Sequence, residues 1–186
     1  MKPVMLSCAM LMALWTASSA DGPRAAAAGS DPLRAAIERV APNAKLLQAN
    51  EIDMRECEFV PKNPGLASAD FNGDGLEDAA VLLKTRVSSE VTILRGVKYR
   101  KATLLFVIFL NDSKGGYLTV TQDQYGDSIP AWSFIDIIPT GKTIRNIKVG
   151  KDLVLKNPAV MLTFCGKSAA AYVVTGTRVR EIPLSD

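Results

Sequence analysis

The chain has 186 residues, 48% of them hydrophobic, a formal net charge of +3 and no histidine. That length points to one domain with a core of its own, and so mild a basic excess argues against a nucleic-acid partner. The lack of histidine removes Ser-His-Asp and Cys-His hydrolases, histidine metal sites and histidine acid–base catalysis.

Residues 1–28 read as a signal peptide and leader. Met1-Lys2 is a short basic start, Val4 to Trp15 is apolar, and small residues follow at Ala17-Ser18-Ser19-Ala20 and Ala25 to Ala28. The apolar run is too short for a stable bilayer anchor, so the mature chain is expected to lack a transmembrane segment. Cleavage is expected after Ala20 or after Ala28, and Cys8 lies too early in the run to mark a lipid attachment site. The expected compartment is the periplasm or the outside of the cell. There Cys57 and Cys165 become an even pair in an oxidising medium, which favours a disulfide. Two buried thiols acting as small hydrophobes are the alternative.

A single domain is expected over 31–186. Asp31-Pro32 is a helix start, with an N-cap residue before a proline, and Leu33, Ile37 and Val40 follow at helical spacing up to Pro42. Residues 45–53 suggest a short strand, and 54–65, with Cys57, Pro61, Pro64 and Gly65, a loop or edge. From Leu66 onward the texture is β. Leu66 to Phe71 and Ala79 to Lys84 flank a polar loop. Arg95-Gly-Val-Lys98-Tyr-Arg100-Lys101 carries four positive charges and reads as a solvated loop or hairpin tip, or as a contact for an anionic surface. Ala102 to Leu110 reads as a strand buried on both faces. Asn111 to Gly116 is a turn, and Tyr117 to Gln122 alternates as a partner strand with one wet face. Residues 123–131 suggest a loop. Strands are expected within Trp132 to Ile138, Thr143 to Val149 and Leu153 to Leu155, and then at Ala159 to Phe164, Ala169 to Val174 and Arg178 to Ile182. The fold class that follows is α+β: a mostly antiparallel β-sheet, an N-terminal helix packed on it and one calcium-type loop between strands.

That loop is Asp70-Phe71-Asn72-Gly73-Asp74-Gly75-Leu76-Glu77-Asp78. Oxygen-bearing side chains stand at its positions 1, 3, 5 and 9, which suits Ca²⁺, a hard ion taking six to eight oxygens. Asp70, Asn72 and Asp74 offer side-chain oxygens, Leu76 its carbonyl, and Asp78 a carboxylate directly or through water. Phe71 is expected in the core and Glu77 in solvent. An EF-hand would need a bidentate Glu at position 12. Val81 stands there instead, in an apolar run that reads as a strand, so the EF-hand is rejected. An Asx-type turn with no ion is the other reading of these residues.

The stretch from Ala69 to Leu83 resembles the Asp-Phe-Asn-Gly-Asp-Gly-x-x-Asp-hydrophobic motif of FG-GAP and VCBS-type repeats. These are the calcium loops of integrin-α-like propeller blades and of many secreted bacterial proteins. The resemblance implies an ion between strands, held by Asp70, Asn72, Asp74, Leu76 and Asp78. A propeller needs several blades, and no second copy of the motif occurs here. The end of the chain, from Leu155-Lys-Asn-Pro to Ser185-Asp186, is also similar to small exported bacterial proteins that carry one such loop.

The expected function is therefore an exported, calcium-stabilised, non-catalytic binding or interaction module of the cell envelope. Its partner would be an envelope or extracellular protein or glycan. Two alternatives stay open: an inhibitor of a secreted enzyme, and a small carboxylate-based hydrolase of envelope polysaccharide. The hydrolase would use acids among Asp123, Asp127 and Asp136, which surround Tyr125 and Trp132 in sequence.

Overall fold

The computed structural model describes residues 31–185. The expected signal peptide and leader, both cleavage points and Cys8 lie outside the described residues, as does Asp186. The elements in chain order are α1 (Pro32–Val40), β1 (Lys45–Leu46), β2 (Leu66–Ala69), β3 (Asp78–Val87), β4 (Thr92–Leu94), β5 (Val97–Asn111), β6 (Tyr117–Ile129), β7 (Ser133–Ile138), β8 (Thr143–Asn146), β9 (Lys151–Val154), β10 (Ala159–Phe164), β11 (Ser168–Thr175) and β12 (Arg178–Ser185). A short 3₁₀ turn covers Ala49–Glu51.

The helix starts where the sequence predicts. The Asp31 carboxylate accepts the Leu33 N–H at 3.0 Å, and Pro32 fills the first turn, where its missing N–H costs nothing. The Ala41 N–H closes the last turn on the Ile37 carbonyl, just before Pro42.

The strands build two antiparallel sheets and a separate hairpin, β8–β9. In the first sheet β3 and β5 are central. β5 pairs β6 along one edge and β3 and then β4 along the other. The far edge of β3 is shared by β1 near Leu83–Lys84 and β2 near Asp78–Val81. The second sheet runs β12-β11-β10-β7. Side chains alternate faces along a strand, and this sorts β5 into two cores. Leu104, Phe106, Ile108 and Leu110 face the second sheet, packing with Phe134, Val160, Leu162 and Tyr172. Leu105, Val107 and Phe109 form the opposite cluster, with Val81, Leu83 and Ala36. A third cluster joins Ile144 and Leu155 to the outer face of the second sheet.

The expectation of an α+β class is overturned: the described residues are mostly antiparallel β. One helix of nine residues, with Ala36 as its only buried residue, is too small to make a layer. After Pro42 the apolar residues run or alternate and do not return to helical spacing. Two further corrections concern extents. The expected strand over 45–53 is the two-residue β1 followed by the 3₁₀ turn. The expected loop over 123–131 is strand as far as Ile129. Its polar residues mislead, because Gln122, Asp123 and Gln124 pair with Val107, Phe106 and Leu105 at a sheet edge with a wet face. Gly126 pairs with Thr103 inside the β5–β6 ladder, so this glycine does not interrupt the strand.

Candidate functional site: an acidic loop between β2 and β3

The loop from Asp70 to Glu77 joins two paired strands. β2 and β3 are in register from Leu66↔Val81 to Ala69↔Asp78, so the loop leaves and re-enters the sheet at one point. Gly73 and Gly75 hold positive φ, 81° and 86°, which a side chain would strain. Phe71 is fully buried in the main core and Glu77 is exposed, as expected.

The side chains turn inward on the loop's own backbone. Asp70 accepts N–H bonds from Gly73 (2.7 Å) and Asp74 (3.1 Å) on one oxygen and from Gly75 (2.8 Å) on the other. Asp74 accepts from the Leu76 N–H at 2.9 Å and from the Asn72 amide at 2.8 Å. Asn72 in turn accepts the Asp74 N–H at 3.0 Å. Asp70, Asn72 and Asp74 thus form one connected rim, with oxygens on alternate residues of a tight turn.

Asp78 takes a different place. It is fully buried beneath the loop. One oxygen accepts from the Phe71 and Asn72 N–H groups at 2.9 and 3.4 Å, and the other from the Asn111 N–H at 2.9 Å. Burial pushes its carboxyl above the usual range, and the nearby Asp74 adds to this. The three N–H bonds pull the other way. Asp78 ties both ends of the loop to the end of β5, and the Asn111 amide adds a bond to the Glu77 carbonyl. The second sheet also reaches this loop. A Cβ at Gly73 would lie 2.7 Å from the side chain of Asn157, in the connection between β9 and β10.

The donor chemistry suits a hard cation. Each carboxylate or amide oxygen carries two lone pairs, and one oxygen of Asp70, both of Asp74, that of Asn72 and one of Asp78 each accept a single bond. Among the described residues no group of three or more His, Cys, Asp or Glu side chains gathers closely enough to hold a metal. Any ion here would depend on the Asn72 amide and the Leu76 carbonyl as well as the acids.

The carboxylates of the hydrolase alternative are spread out. Asp123 is exposed on β6. Asp127 accepts from Ser133 Oγ and the Ser128 N–H and lines a cavity with Trp132, Phe164 and Lys167. Asp136 lines a separate cavity with Pro61, Asn63 and Ile137.

Cys57 and Cys165 stand at disulfide distance, with Cα atoms 5.0 Å apart. The pair ties the 54–65 segment to the end of β10. A second polar cluster, around Asp53, is almost silent in the sequence. The buried Asp53 carboxylate accepts from the Arg55 N–H, Nε and Nη2 and from the Tyr99 hydroxyl. The Arg55 hydrogen bond holds Asp53 well below the usual carboxylate range, and the bond to Asp53 raises Tyr99. The Tyr99 ring meets Trp132 edge-on at 5.9 Å. The only sequence signal was Asp-x-Arg at 53–55, because Tyr99 lies 46 residues from Asp53.

No protein-family model, curated protein or solved structure matches this chain. Among the described residues no helix is long and apolar enough to cross a membrane.

Proposed function

We propose that this chain is an exported, calcium-stabilised binding module of the cell envelope, without catalytic activity of its own, acting in the periplasm or outside the cell. The observation that carries this is the rim of Asp70, Asn72 and Asp74 above the buried Asp78. These side chains and the Leu76 carbonyl would hold the ion, which would supply positive charge to a loop holding three aspartates and Glu77. What the chain's own residues do is shape the loop. Gly73 and Gly75 bend it, Phe71 anchors it in the core, and Asp78 clamps its two ends to β5.

The non-catalytic part rests on the absence of histidine and on the separate settings of Asp123, Asp127 and Asp136. The partner class is an envelope or extracellular protein or glycan.

The test is thermal unfolding in chelator and then in millimolar calcium, beside hydrolysis assays on generic ester, peptide and glycan substrates. A higher Tm with calcium and no turnover are expected. An unchanged Tm would count against the ion. Turnover abolished by Asp127→Asn or Asp136→Asn would count against the non-catalytic reading.

A further inference from the structure

The β4–β5 hairpin, with the end of β3 and the connection that leads into it, exposes apolar and basic side chains together. Val87, Val91, Ile93 and Leu94 are large apolar side chains open to solvent, Ile93 at 67% and Val91 at 52% exposure. The same stretch holds Arg86, Arg95, Lys98, Arg100 and Lys101 against one acid, Glu90. This surplus of four exceeds the formal +3 of the whole chain, so the remainder is slightly acidic and the charge is concentrated here.

Geometry presents the two kinds of side chain together. The turn passes through Arg95 and Gly96, both at positive φ, the two-residue hairpin form. Ile93 sits directly opposite Lys98, and Arg100 follows on the same face of β5. At the base of the hairpin Lys45, Lys84, Arg86 and Arg100 line a cavity of about 280 Å³ whose only acid among the described residues is Glu51. Glu51 is bonded to Lys84. Lys45, Arg86 and Arg100 form no ion pair among the described residues. The hairpin is also held in place: Tyr99 is fastened by Asp53 and Arg55, and Arg95 reaches Glu56 at 3.4 Å.

We infer that this hairpin docks the protein on the surface of an anionic phospholipid bilayer. Ile93 and Val91 on one face of the hairpin, and Leu94 on the other face at its tip, enter the headgroup–acyl boundary. Lys98 and Arg100 beside Ile93, and Lys101 on the other face, lie among the phosphates, their long stems reaching back to the charged layer. The cationic cavity at the base takes a lipid phosphate. A soluble polyanion would use the cations and gain nothing from the aliphatic side chains, and this favours the bilayer. The inference uses none of the calcium loop.

The test is flotation with vesicles of phosphatidylcholine alone and of equal parts phosphatidylcholine and phosphatidylglycerol. It uses the chain from Asp31 onward, which holds the elements and core clusters of the described residues and omits the apolar Val4–Trp15 run. Chelator is present throughout, so the result is separate from the calcium reading. Flotation with the anionic vesicles only is expected. Lys98→Gln/Arg100→Gln/Lys101→Gln should lower partitioning about 100-fold, as for three basic residues at a membrane surface. Ile93→Ser/Leu94→Ser should lower it on the order of 100-fold through lost apolar burial, even with each side chain only about half buried. All five positions are exposed, so unfolding curves should match the parent; if a multiple variant unfolds early, Lys98→Gln and Ile93→Ser singly take its place. No flotation, equal flotation with neutral vesicles, or full retention by the charge variant overturns the inference. Binding to soluble polyphosphate that survives the Ile93→Ser/Leu94→Ser change, with no matching vesicle loss, overturns it in favour of a soluble polyanion.

Discussion

Asp53→Asn isolates the polar clamp that holds the hairpin to the body of the domain. Asp53 is 5% exposed and gathers Arg55 and the Tyr99 hydroxyl on one carboxylate. Hydrogen bonds to a charged group contribute about 1.5–3 kcal/mol each. The Arg55 side chain is 45% exposed, so solvent screens its share, whereas Tyr99 is buried. The variant should lose about 2 kcal/mol at pH 7, or roughly 4–8 °C in Tm for a domain of this size. The sign of the pH dependence follows from the direction of the shift. Asp53 titrates lower in the folded chain than in the unfolded one. Its contribution is therefore present above the unfolded value, about 3.9, and is lost as pH falls below it. Urea unfolding of both chains at pH 7, 5 and 3 should show the gap narrowing by about 1 kcal/mol between pH 5 and pH 3. A gap that stays constant, or widens in acid, would refute the reasoning.

Other perturbations test the packing. Gly65→Ala would set a Cβ 2.4 Å from the Leu47 carbonyl oxygen. Leu47 and Gly65 both bond to Leu82 there, closing the split edge of β3. A loss of about 3 kcal/mol in urea unfolding is expected, and a change within 0.5 kcal/mol, roughly the effect of an ordinary surface substitution, would show that this edge yields. Cys57 and Cys165 should resist thiol labelling after denaturation without reductant. Reducing them should cost up to about 4.7 kcal/mol, since the loop they close is roughly 100 residues; two reactive thiols in the unreduced, denatured chain would mean no bond.

The β content, the helix start and the acidic loop were all legible in the sequence because each rests on local rules. Asp31-Pro32 caps whatever follows it, and the glycines of the loop demand a bend wherever it lies. The two faces of β5 were legible only as a wholly apolar run: the sequence does not say that Leu104 meets one core and Leu105 another. The α+β expectation fails because a good helix signal says nothing of how much the helix buries. The second half of β6 resembles a loop in sequence because a wet edge strand shows no apolar alternation until its partner is known. The Asp53–Tyr99 clamp joins residues far apart in the chain, and only the two sheets bring them together. The spacing offers Asp78 as a carboxylate to an ion, directly or through water, and its burial beneath the loop, bonded to Phe71 and Asn111, depends on where β5 ends.

The most direct measurement of the central claim is a calorimetric titration of calcium into the chelator-treated chain, beside Asp74→Ala. Extracellular modules bind at roughly 10⁻⁴ to 10⁻³ M. A single saturable site near that range is expected, abolished by Asp74→Ala, with about 1.4 kcal/mol of added stability at roughly tenfold excess over Kd. No heat of binding, together with unfolding unchanged by chelator, would contradict the account and leave the loop as an Asx-type turn without an ion.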